Sequence, residues 1–184
     1  MAALLLLARA AAAAQSLPAA IAVPGATPVA TFHATGAQVY ECKPGSNDKL
    51  AWTFREPIAT LILDGKTVGR HYAGPTWEHV DGSAVVGKGA GNAPGATAND
   101  IAWLKLDVVS HRGSGTLDKA SVVLRINTSG GVLLGSCDHA GALTSVPIRP
   151  TMCSCTPAAD TARKNRGAER PAGKAPRPRI SFRP

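Results

Sequence analysis

The sequence predicts an all-β domain, a single antiparallel β-sandwich or small β-barrel. Three observations predict it. Short apolar–polar alternations recur between Gly36 and Pro147, and no run there carries helical periodicity. Turn residues separate them, including Asp64-Gly65 and Asp81-Gly82. Asp-Gly between two such runs marks a hairpin, because both turn positions tolerate positive φ. With its ends set aside, the 184-residue chain has room for one domain, and it shows no internal repeat.

The elements follow in order. Residues 3–14 read ALLLLARAAAAA, an apolar run too short to span a bilayer, with a small-residue cleavage pattern at Ala12-Ala13-Ala14. Residues 1–14 are therefore expected to be a signal peptide, and the protein secreted or periplasmic. No later segment is apolar for long enough to form a transmembrane span. Residues 15–35 read as an N-terminal extension and 36–148 as the β-rich domain.

Strands are expected at Gln38–Cys42, Leu50–Phe54, Ala59–Leu63, Lys66–Tyr72, Thr76–Val80 and Ser83–Lys88. Gly89–Asn99 is a loop of small residues. Ile101–Ser110 is the longest strand, with Leu104, Leu106 and Val108 on one face. His111–Gly115 is a loop. Ser121–Asn127 places Leu124 and Ile126 inward and Arg125 and Asn127 outward. Leu143–Ile148 is the last strand.

Cys42 and Cys137 each sit beside a candidate strand and form the natural disulfide of an exported chain. Closing so long a loop stabilises by roughly 4 kcal/mol in the chain-entropy model.

The net charge of +8 suggests a nucleic-acid partner, but its location does not. After Pro150 the chain carries eight of the twenty Lys and Arg residues, against Asp160 and Glu169 alone. That Pro/Ala/Gly/Arg-rich segment is too poor in apolar residues to offset its ordering entropy, so a disordered basic tail is expected over 149–184. No specific nucleic-acid binding is expected.

Gly82-Ser-Ala-Val-Val-Gly87-Lys88 satisfies most of a P-loop. Its next residue is Gly89, where a magnesium-binding hydroxyl is required, and it follows a hairpin turn rather than opening a helix. Nucleotide binding is excluded on those grounds, and no cofactor is predicted.

The densest chemistry lies in one stretch. His71, Tyr72, Trp77, Glu78 and His111 are the candidate ligand-binding residues: an aromatic face stacks on apolar patches while a carboxylate fixes orientation. His71, His111 and His139 are weak candidate metal ligands, since histidines at strand ends can converge with Glu78. The five histidines form no H-x-H or H-E-x-x-H spacing. The expected function is therefore an exported module that binds a small ligand or an envelope component. A metal-dependent or other enzyme using the loop-end histidines is the alternative.

The strings GRHYAGPTWEHVDGSAVVGK, DIAWLKLDVVSHRGSGTL and RINTSGGV, in that order and with a Cys after them, resemble the domain of unknown function 3455 family over about residues 36–147. The resemblance implies an extracytoplasmic β-rich domain and supplies no mechanism. Members of the family end on an aromatic strand, whereas this chain departs after Pro147 and reads Ile-Arg-Pro-Thr-Met-Cys-Ser-Cys. Back-translated one base earlier, Thr-Met-Cys-Ser-Cys permits Asp-Tyr-Val-Phe-Leu, which fits such an ending. A frameshift near codons 148–150 follows as an expectation, and with it a domain that lacks its last strand.

Overall fold

The computed structural model describes residues 17–45 and 48–156. A short 3₁₀ turn, Ala19–Ile21, precedes nine strands. These are β1 (Thr27–Pro44), β2 (Leu50–Leu63), β3 (Lys66–Tyr72), β4 (Thr76–His79), β5 (Ala84–Ala93), β6 (Trp103–Arg112), β7 (Val122–Ile126), β8 (Leu143–Ile148) and β9 (Thr151–Thr156). Every pairing is antiparallel, as the alternation predicts.

One sheet contains all nine strands, in the order β2-β3-β4-β5-β6-β7-β9-β1-β8. β1 pairs with β2 as well, so the circuit of hydrogen bonds returns to its start. Bulges at Val39/Tyr40, Leu61/Ile62 and Val86/Gly87 bend the strands, which is how a twisted sheet curls onto itself.

Hairpin chemistry holds in full at one of the two Asp-Gly turns; at Asp81-Gly82 only the glycine takes positive φ, 90°. Asp64 and Gly65 turn between β2 and β3 with φ of 49° and 74°. The segments read as Leu50–Phe54 and Ala59–Leu63 merge into one strand, because β1 supplies a partner along the whole length. Gly89–Asn92 is strand rather than loop, paired to β6 across a bulge. β6 runs on to Arg112, so His111 lies in a strand and not in a loop.

Two domain boundaries move. β1 starts at Thr27, inside the predicted N-terminal extension, and Leu17, Val23 and Ala26 pack on the outer face of β7. At the other end, Thr151–Thr156 is not tail but strand, so the expected loss of the last strand is wrong. β8 and β9 pair with the same edge of β1 in one register, from Glu41↔Leu143 to His33↔Thr151. Pro150 O accepts from Ala34 N at 3.0 Å across the break between them. β9 also pairs with β7 and so completes the circuit. Residues 1–14 and 157–184, where the signal peptide and most of the basic tail were expected, lie outside the described residues.

The core sits inside the circuit. Phe32, Leu61, Trp77, Val85, Leu106, Val123 and Met152 are all buried there. The loop after β6 closes one end by carrying Leu117 and Ala120 into that core. Asp81 holds it: the carboxylate accepts from Ser83 N, Ser83 Oγ, Thr116 N and Thr116 Oγ1 at 2.6–2.9 Å. Those four donors hold the Asp81 carboxyl far below the usual carboxylate range, the Ser83 hydroxyl most of all. Cys42 and Cys137 are disulfide-bonded and tie the loop before β8 to β1.

Candidate functional site

Successive residues of a strand face opposite sides of a sheet. β3 and β4 therefore split the predicted site. His71 pairs with Trp77 and Arg70 pairs with Glu78. The first pair lies inside the circuit, buried to 3% and 2% exposure. The second lies on the outer surface, with Tyr72.

On the inside, the His71 and Trp77 rings stack with centroids 4.3 Å apart and planes 10° from parallel. Trp77 Nε1 donates to Met152 Sδ at 2.8 Å. The ring fits because Gly87 faces it: a Cβ on Gly87 would stand 3.1 Å from Trp77 Cζ3 and 3.0 Å from Leu106 Cβ. That explains the second glycine of the P-loop-like string in terms of packing. His71 Nδ1 lies 2.9 Å from Thr76 O. A carbonyl can only accept, so Nδ1 carries the proton. Burial pushes the His71 pKa down to about 4, against the Thr76 hydrogen bond and with help from the charge on Arg125. The ring is therefore neutral at pH 7, and its Nε2 is an acceptor.

On the outside, Glu78 is surrounded by donors. Tyr72 Oη donates at 2.7 Å, Arg112 Nη2 at 2.8 Å and Arg70 Nη2 at 3.1 Å. The Arg70 guanidinium also stands 5.0 Å over the Tyr72 ring. The Tyr72 hydrogen bond first, and the two guanidinium groups after it, lower the Glu78 pKa. A carboxylate held ionised in this way is a poor general acid. Tyr72, Glu78 and Arg112 are brought together, but on the face opposite to His71 and Trp77.

His111 lines a separate groove with Tyr72 and Arg112, and His139 stands apart from both faces. His111 is exposed and its Nε2 lies 2.8 Å from Ala120 O. His139 is exposed in the loop after Cys137. Among the described residues, no three His, Cys, Asp or Glu side chains gather as a metal site would require.

A cavity of about 270 Å³ opens beside the inner pair, at the end of the circuit away from Asp81. His71 and Trp77 line it with Phe54 and Pro57 of β2, the Ala73–Pro75 turn, Leu104 and Leu106 of β6, and Arg125 of β7. Arg125 was expected to face outward. Val122, Val123 and Leu124 are all buried, so β7 is apolar on both faces, and its outer face is covered by the N-terminal segment. The inward set is Val123 and Arg125. A continuous apolar run such as Val122-Val-Leu124 carries that signal, since two-sided burial removes the alternation.

Arg125 Nη2 donates to Ala102 O at 2.7 Å. Its Nε is buried without a hydrogen-bond partner among the described residues. Burial lowers the Arg125 pKa to about 10, which still leaves it charged at pH 7. The cavity thus joins apolar walls to one half-buried cation and one neutral imidazole.

A family model described as "Protein of unknown function (DUF3455)" matches residues 23–65 and 62–149. No curated protein and no solved structure matches the chain.

Proposed function

We propose that this chain, which belongs to the family of proteins of unknown function DUF3455, is an exported binding module for a small, largely apolar molecule. Its site is the cavity bounded by Phe54, His71, Trp77, Leu104, Leu106 and Arg125. One observation carries the reading: an apolar cavity at the open end of the closed sheet is lined by a half-buried guanidinium whose Nε has no hydrogen-bond partner among the described residues. Small-molecule sites have that composition, apolar walls with a few placed polar groups that fix orientation. The volume is just below the ~300–1,000 Å³ typical of drug-sized ligands, so the ligand is small. The disulfide and the Ala/Leu-rich head support export, because such bonds persist in oxidising compartments.

The reading is tested by titrating the protein with bicyclic aromatic compounds, neutral and charged, by calorimetry. Leu104→Trp fills the cavity from its wall. Binding is expected in the native protein and a loss of at least tenfold in Leu104→Trp, with near-UV circular dichroism retained. Equal binding by the folded variant would falsify the site.

A further inference from the structure

We infer that the molecule held in this cavity carries a single carboxylate, which binds Arg125; the inference rests on the binding reading above and names the chemical class of its ligand.

The charges of the lining point to an anion. Its ionisable residues are Arg125, Arg55 and His71, and no Asp or Glu lines it. Arg55 is half-exposed and its Nε already meets Glu56 Oε1 at 3.1 Å. His71 is neutral, because its burial disfavours the imidazolium. The charge left uncompensated in the cavity is that of Arg125. A cation partly withdrawn from water is stabilised when an opposite charge meets it.

The geometry points to a carboxylate. Ala102 O engages Arg125 through Nη2 alone, and the Nε donor has no partner among the described residues. A guanidinium presents parallel donors that match the two oxygens of a carboxylate. A dianion such as a phosphate monoester would bring two charges to one cation in a low-dielectric wall. Its second charge would be desolvated without a partner.

The rest of the ligand is compact and apolar. Leu104 lies opposite Arg125 in the β6–β7 register, so the anion site and the apolar wall are neighbours across one strand pair. The stacked rings of Trp77 and His71 make another wall of the cavity. An aromatic or branched monocarboxylic acid satisfies both ends.

The test compares 2-naphthoate with 2-naphthamide, which differ in charge and little in shape. Native protein is expected to bind the acid at least tenfold more tightly at pH 7. Arg125→Met is expected to lose that preference while still binding the amide. Arg125→Lys keeps the charge without the fork and should fall between the two; it covers the case in which Arg125→Met fails to fold. Equal affinity of native protein for acid and amide overturns the carboxylate assignment and leaves the cavity reading standing. Failure of native protein to bind either probe overturns the cavity reading and this inference together.

Discussion

The two faces of β3 and β4 make different use of similar residues one position apart. Inward, His71 and Trp77 have one hydrogen bond each, to Thr76 O and Met152 Sδ, and owe their place to burial and ring stacking. Outward, Glu78 gathers Tyr72, Arg70 and Arg112 in a solvated network. The inner pair is desolvated and its imidazole is discharged; the outer carboxylate is kept charged. A strand thus turns sequence neighbours into strangers. Chemistry that looks like one site along Arg70–Glu78 is two: the inner half borders the mostly apolar cavity, and the outer half borders open grooves lined by Arg70, Tyr72, Glu78 and Arg112.

The strongest way to break this contrast is to empty the inner face. Trp77→Ala removes a buried indole that stacks on His71, donates to Met152 Sδ and occupies the space that a side chain at position 87 would need. Large-to-small changes of this kind cost about 3–5 kcal/mol, since the walls close only in part. Denaturant unfolding is expected to show a loss in that range. A loss below about 1 kcal/mol would mean that the indole is dispensable to the core.

Acid should separate the two faces next. His71 has an ordinary pKa of 6.5 and a folded value of about 4. Above pH 6.5 both states are neutral and stability is insensitive to this ring. Between 6.5 and 4 the unfolded chain takes a proton that the folded chain refuses, so stability falls as pH falls. At about 1.4 kcal/mol per pH unit the loss reaches about 3 kcal/mol near pH 4. Asp81 adds a second loss at lower pH, below its ordinary 3.8, where the unfolded chain takes up a proton that the folded carboxylate refuses. His71→Gln keeps a donor for Thr76 O and is expected to flatten the melting temperature between pH 6.5 and 4. An unchanged slope in that variant would assign the acid sensitivity elsewhere.

How much of this was legible beforehand depends on what each residue's neighbours in the chain reveal. Period-2 alternation and the Asp64-Gly65 turn are local signals, and they located β3 and β8 to the residue. Cys42 and Cys137 were legible because few cysteines were available to pair. What escaped was non-local. Nothing within Thr151–Thr156 announces a strand; it becomes one because β1 and β7 offer it two edges. Met152, taken for tail, is core and receives the Trp77 hydrogen bond. Arg125 escaped for a related reason. A charged residue between Leu124 and Ile126 reads as solvent-facing, until the distant N-terminal segment around Leu17, Val23 and Ala26 covers the other side. The site was half legible: Trp77 and His71 drew notice as residue types, while the cation that gives the cavity its chemistry did not.

The outer face should respond least, and the direction of its response tells whether it is a network or a coincidence of charges. Glu78→Gln removes the carboxylate but leaves an amide oxygen for Tyr72 and one arginine. The two guanidinium groups are about two-thirds exposed, so water takes over much of what they lose. The variant should melt only slightly below the native protein, by less than Trp77→Ala. Raising the salt concentration should shrink the gap further, because screening weakens the native pairs and not the amide contacts. Ligand binding in the cavity should be unaffected, since Glu78 lies on the other side of the sheet. A Glu78→Gln protein that lost 2-naphthoate binding while keeping its fold would join the two faces into one site, and would undo the separation on which the assignment of the cavity depends.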